Sequence, residues 1–242
     1  MACRPEELLI ALLARLIGEV RHVAVGNLSP IPAAGALLAR KLAARPLQVT
    51  LLGSRRDNHF TDGGRELFDC AAQGRIDVFF LGGGQIDGEA NLNLVGVGDY
   101  PGMTARFPGS FGSAYLYFLI PRVILFREEH SPRVLVPRVD FVSAPGSSPA
   151  NVYRPGGPSD LVTGAAHFAF DRTRRRFRLV SVHPGQDADG LAGMTGFDYD
   201  RPETVATTPL PEPAVLEAIR GPVAARLAES YPRFVERVFG PP

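Results

Sequence analysis

The feature that most constrains this chain is an alternation: helix-periodic stretches take turns with short apolar runs that end in glycine. His22-Val23-Ala24-Val25 runs into Gly26, Leu47 to Leu52 into Gly53, and Ile76 to Leu81 into Gly82-Gly83-Gly84. Runs of that length, rich in valine, leucine and phenylalanine, read as buried strands. Pro5 to Ile17 repeats apolar residues at i, i+4 and i+8, with Pro5, Glu6 and Glu7 suited to a first helical turn. Further helices are expected from about Pro32 to Ala44 and from Gly64 to Gln73, the latter closed by Gly74. Strands alternating with helices predict βαβ units, hence an α/β fold with an open, mainly parallel sheet flanked by helices. Ligands of such sheets lie beyond the carboxyl ends of the strands. Gly26-Asn27-Leu28, Gly53-Ser54-Arg55 and Gly82 to Gln85 occupy that kind of position.

The remaining chain predicts a buried helix from Phe111 to Leu119, stopped by Pro121, and strands at Val123 to Phe126 and Val139 to Val142. Ala166 to Asp171 and Phe177 to Val182 flank the polar turn Arg172 to Arg176, which reads as a C-terminal antiparallel hairpin. Asp187 to Pro211 reads as loop, and helices at Ala214 to Arg220 and Val223 to Phe239 follow. No internal repeat is present, so residues 1–242 are expected to form one domain.

Composition removes several functions. A net charge of +1 argues against nucleic-acid or membrane-surface partners. Lys41 is the sole lysine and sits in a helical pattern with no glycine-rich loop ahead of it, against Schiff-base and P-loop chemistry. Cys3 and Cys70 cannot form a cysteine zinc site, and no disulfide framework is expected. Glu6, Glu7, Arg15 and Glu19 interrupt the apolar start, against a signal peptide, and no run is long enough to span a membrane. A cytoplasmic location is the expectation. His59, His167 and His183 have no partner at metal-ligand spacing, so no metal site is expected.

Three segments carry the chemistry. The first is Gly82-Gly83-Gly84-Gln85-Ile86-Asp87-Gly88-Glu89-Ala90-Asn91-Leu92-Asn93, the second Phe107-Pro108-Gly109-Ser110-Phe111-Gly112-Ser113-Ala114, the third Leu179-Val180-Ser181-Val182-His183-Pro184-Gly185. In this order, over about residues 20 to 220, they resemble β subunits of class I CoA-transferases. The branch they resemble contains glutaconate CoA-transferase β and a steroid-ring CoA hydrolase β subunit. The resemblance implies a heteromeric enzyme of α- and β-type subunits acting on acyl-CoA, with coenzyme A thioester as substrate and no tightly bound cofactor. It implies a β-subunit glutamate that attacks the thioester, and glycine-loop N–H groups that hold the oxyanion. Gly83, Gly84, Gln85, Gly109, Ser110 and Gly112 are the binding candidates on that reading.

The chain departs from the pattern at the nucleophile. The family glutamate follows the second strand, where this chain reads Thr50-Leu51-Leu52-Gly53-Ser54, and Leu51 stands in its place. No Asp or Glu occurs from Pro46 to Arg56. The hydrolase branch also lacks the standard nucleophile, so transfer and hydrolysis both stay open, as does a non-catalytic scaffold subunit or a small-molecule binding protein on the same fold. His59 is the candidate base, since it lies in the loop that would otherwise hold the nucleophile.

For each candidate a plainer role competes. The glycines can simply turn the chain, Gly112 can cap a helix, and Asp87 and Glu89 can be a solvated turn. Cys70 can be a small core residue. Arg172 to Arg178 can grip CoA phosphates or form a solvated hairpin turn.

Overall fold

A computed structural model describes residues 2–240. The elements run α1 (Pro5–Ile17), β1 (His22–Val25), α2 (Pro30–Leu42), β2 (Gln48–Leu51), α3 (Gly63–Ala72) and β3 (Val78–Leu81). Four short strands follow: β4 (Gln85–Ile86), β5 (Leu92–Asn93), β6 (Gly96–Val97) and β7 (Ala105–Arg106). Next come α4 (Ser113–Leu119), β8 (Arg122–Arg127), β9 (Pro158–Thr163), β10 (Ala166–Asp171), β11 (Arg176–Val182), α5 (Ala188–Met194) and β12 (Ala206–Thr207). The chain finishes with α6 (Pro213–Ala218), a π-helical turn (Ile219–Val223), α7 (Ala224–Leu227) and α8 (Pro232–Phe239). The fold is α/β, with mixed, mainly parallel strand pairing flanked by helices, and antiparallel hairpins added to it. Among the described residues, no helix is long and apolar enough to cross a membrane.

The chain forms two compact units. The first runs up to Phe80 and resumes at Pro209. Its centre is β1, paired in parallel with β2 (Val25 opposite Leu51) and with β3 (Val23 opposite Val78). All four β1 residues are buried, as expected for a strand covered on both faces. α1 lies against α2 at Gly35, where a Cβ atom would stand 3.0 Å from that of Leu13. A pair of buried carboxylates ties the C-terminal helices to this core. Glu7, fully buried, receives Nε and Nη2 of Arg220 at 2.6 and 2.8 Å. Asp57 receives Arg40 and both Nε and Nη2 of Arg226.

The second unit is Leu81–Thr208. β8 and β9 pair in parallel, β9–β10 and β10–β11 antiparallel, and β11–β12 in parallel. Phe168 and Phe177 are fully buried in it, edge to face at 6.2 Å, and Phe170 also meets Phe177 edge to face, at 4.9 Å. The β10–β11 hairpin was legible in the sequence and folds with the expected antiparallel pairing, with β11 starting one residue earlier, at Arg176 opposite Asp171.

Four local expectations need correction. Val139 to Val142 is not a strand: Val139 N donates to Asp87 and Asp140 N to Gln85, so their backbone groups are taken by side chains. The stretch from Asp187 contains α5, capped by Asp187 accepting from the N–H groups of Asp189 and Gly190. Two glycines in that short helix masked it. α4 starts at Ser113, because Gly112 is left-handed (φ 66°), and Phe111 before it is 73% exposed instead of buried. The last expected helix is interrupted: Pro232 forces Tyr231 out of the helical region (φ −133°, ψ 57°), so α8 starts afresh.

Candidate active site

In the first unit the parallel strands bring two loops to one edge. β1 ends at Val25, whose carbonyl accepts Leu52 N at 3.0 Å, so residues 26–29 and 52–57 lie side by side. Leu51 is the last residue of β2 and only 2% exposed, with its N–H given to Asp57 O. The loop after it is closed by Ser54, whose hydroxyl accepts the N–H groups of Arg56 and Asp57 and donates to Glu229 Oε2 at 2.7 Å. Glu229 Oε1 takes Arg55 N at 2.9 Å. Hydrogen bonds from Ser230, Ser54 and Arg55 N hold the Glu229 carboxyl below its ordinary pKa. Burial by itself would raise that of Asp57, but Arg226 and Arg40 outweigh it and keep the carboxylate ionised.

His59 is exposed. Its neighbour in the unit, His22, is buried and bridges Arg75 O and Thr50 Oγ1 at 2.9 and 2.8 Å. Burial, with a smaller repulsion from His59, lowers the His22 pKa.

In the second unit, Gly82 to Gln85 follows β3 with most of its close approaches directed at protein atoms. A Cβ on Gly84 would stand 2.2 Å from the Phe107 ring, and one on Gly83 2.6 Å from Gln85 O. Gln85 is buried; its Oε1 accepts Asn93 Nδ2 at 2.7 Å and Asp140 N at 3.0 Å, while its Nε2 donates to Asp140 Oδ2 at 3.0 Å. Asp140 Oδ2 also accepts Gly98 N at 2.8 Å. This network fixes the turn and engages most of the Gln85 amide. Asp87 is buried, not solvated as a turn residue would be, and accepts from Glu89 N, Asn91 N and Asn91 Nδ2, whereas Glu89 is exposed.

The loop ahead of α4 is more open. Gly109 has φ 109° with no atom near the position of a Cβ, and Gly112 caps α4. Ser110 O accepts Ser113 N at 2.8 Å. Ser113 Oγ is buried and, among the described residues, has no hydrogen-bond partner.

The histidines of this unit meet in a way the sequence did not indicate. His130 bridges Thr163 Oγ1 (2.8 Å) and Thr195 Oγ1 (3.0 Å). His183 bridges Thr208 Oγ1 (2.9 Å) and Thr163 O (2.9 Å), and His167 meets Asp160 at 2.8 Å. Burial, then repulsion from His183, pushes the His130 pKa down to about 4. These bonds engage both ring nitrogens of His130 and His183, and Nε2 of His167. No group of three or more His, Cys, Asp or Glu side chains among the described residues could hold a metal ion. Cys70 is a buried core residue.

A family model for coenzyme A transferase matches residues 7–191. The chain is 31% identical over 150 residues to the B-type subunit of glutaconate CoA-transferase from Acidaminococcus fermentans, covering 59% of this chain and 55% of that one. It is 31% identical over 160 residues to the cholesterol ring-cleaving hydrolase IpdB subunit of Rhodococcus jostii, covering 64% and 62%. These matches span less than two thirds of either relative's length. Among solved structures, a variant of the decarboxylase AibA/AibB superposes with a TM-score of 0.78 at 28% identity, over 94% of this chain and 99% of that one.

Proposed function

The chain belongs to the coenzyme A transferase family, and from that premise we propose that it is the β-type subunit of a heteromeric enzyme that hydrolyses acyl-CoA thioesters. The observation that carries the reading is the missing nucleophile. Pro46 to Arg56 contains no carboxylate, and the residue in the family position, Leu51, is an apolar side chain sealed at the end of β2. Acyl exchange through an anhydride needs a carboxylate free to attack the thioester carbon. The carboxylates bonded to this loop are otherwise engaged: Asp57 by two arginines, Glu229 by Ser54, Ser230 and Arg55 N. With no protein acceptor for the acyl group, water is the acceptor. The name of one relative, a ring-cleaving hydrolase subunit, supports water as a co-reactant, although the bond named there is one of a ring.

The base that activates water comes from His59 or from the α-type partner. Gly83, Gly84, Gln85, Gly109, Ser110 and Gly112 are the proposed thioester and CoA contacts, with the loop from Pro108 to Ser113 the most open of them. The likeness to a decarboxylase supports a second reading, in which the same loop serves loss of CO2 from an acyl-CoA acid.

One experiment separates these. The co-expressed complex is given acyl-CoAs while free thiol, labelled-CoA exchange between two acids, and CO2 are followed, and adducts are trapped with borohydride. Thiol release without exchange, adduct or CO2 is expected. A CoA or acyl adduct on a glutamate of this chain would overturn the hydrolase reading.

A further inference from the structure

Leu28 breaks two local rules at once. Its φ of 57° is the left-handed conformation, which a leucine resists and a glycine or asparagine adopts readily. Its side chain is also 91% exposed. Single exposed leucines are ordinary; an exposed leucine on a strained backbone, at the carboxyl end of a central parallel strand, is a different observation.

The surrounding loop holds that conformation from several sides. Leu52 N is bonded to Val25 O just before it, and Ser29 Oγ donates to Asn27 O at 3.2 Å. Ser29 N donates to the Tyr231 hydroxyl at 3.3 Å, and Ser29 O accepts Ala33 N in the first turn of α2. Asn27 lies against the β2 loop, where a Cβ on Gly53 would be 2.7 Å from Asn27 Oδ1. Pro30 then begins α2 and fixes the exit of the loop. The anchors fall on both sides of Leu28, so its outward direction is determined by its neighbours.

Its place decides what it faces. Val25 and Leu51 are paired across β1 and β2, so Leu28 stands beside the loop where the family glutamate would meet the thioester carbon. On that reading the acyl group begins at the carbon held beside this loop, whereas the CoA phosphates lie beyond the pantetheine arm of the substrate. We infer that Leu28 is a specificity-determining residue whose side chain packs on the apolar acyl chain of the thioester substrate. The inference rests on the acyl-CoA reading above and deepens it: the substrate class is an acyl-CoA with an apolar chain next to the thioester.

The test uses the co-expressed complex, with Leu28→Gly and Leu28→Asn. Both replacements suit the left-handed backbone, so both are expected to fold, with melting temperatures no lower than wild type. Turnover of acetyl-, hexanoyl- and decanoyl-CoA is measured, together with calorimetric binding of the matching thioether analogues. Wild type is expected to favour the longer chains, and both variants to lose at least about tenfold of that preference in kcat/KM and in affinity. A wild-type chain-length preference that both variants retain overturns the inference and leaves the acyl-CoA reading standing. So does a wild type that binds all chain lengths equally. Weakened association with the partner subunit at an unchanged preference reassigns Leu28 to subunit docking and also overturns it. A wild-type complex that neither binds the analogues nor turns over any acyl-CoA defeats the functional reading first, and this inference with it.

Discussion

Acid sensitivity centred on His130 follows from its surroundings. The two ring nitrogens of His130 meet the hydroxyls of Thr163 and Thr195, and in a neutral ring one nitrogen donates while the other accepts. Neutral imidazole satisfies this site, and protonation places a charge in a desolvated pocket beside His183. The pKa falls from 6.5 to about 4, and at about 1.4 kcal/mol per unit the linked stability is on the order of 3 kcal/mol. The sign follows from the depressed value. The unfolded chain binds the proton first, so the contribution is complete above about pH 6.5 and is lost as pH falls toward about 4. Urea unfolding of wild type and His130→Gln between pH 7.5 and 4 is the assay, because Gln keeps a polar side chain without the titration. His22 and His183 are shifted down as well and titrate in both proteins, so the difference between the two curves reads His130 together with its coupling to His183. That difference should change by about 3 kcal/mol across the window. Parallel curves, or an NMR titration of His130 with a midpoint near 6.5, would refute the argument.

Other consequences follow from the same structure. Arg220→Met removes the cation bonded to both oxygens of buried Glu7, leaving only Arg4 at 4.0 Å, and should cost about 3 kcal/mol in urea unfolding, while the double variant with Glu7→Leu recovers much of it. Gly109→Val places a branched side chain at φ 109°, and if the loop holds the oxyanion, turnover of the complex should fall about a hundredfold or more in steady-state kinetics. Gly109→Val kinetics that match wild type would remove this loop from the site. Native mass measurement of the chain with an α-type subunit should show a stable hetero-oligomer, and a fully active monomer would contradict it.

How much of this was legible beforehand depends on the range of the forces involved. The glycine-ended strands, the helices α1 to α3 and the β10–β11 hairpin were readable because periodicity, caps and turn residues act within a few positions. The lack of a carboxylate from Pro46 to Arg56 was readable directly, being a matter of residue identity alone. The strand expected at Val139 to Val142 failed because its apolar pattern was outcompeted by distant side chains, Asp87 and Gln85, that took its backbone N–H groups. Asp87 itself looked like a solvated turn residue because nothing local shows that the turn is buried.

The sequence by itself determined the alternation of elements, the glycine loops at the strand ends, the family and the lack of any carboxylate from Pro46 to Arg56. Tertiary structure decided which side chains are free to act. Glu229 reaches Ser54 across 175 residues, and His130, Thr163 and Thr195 meet from three separate segments. No spacing rule encodes such contacts, because chain neighbours three or four apart share a helix face while these partners are joined only when the strands pair. The same holds for Leu28: its residue type is plain in the sequence, but its left-handed backbone and exposure exist only once Tyr231, Gly53 and α2 close around the loop.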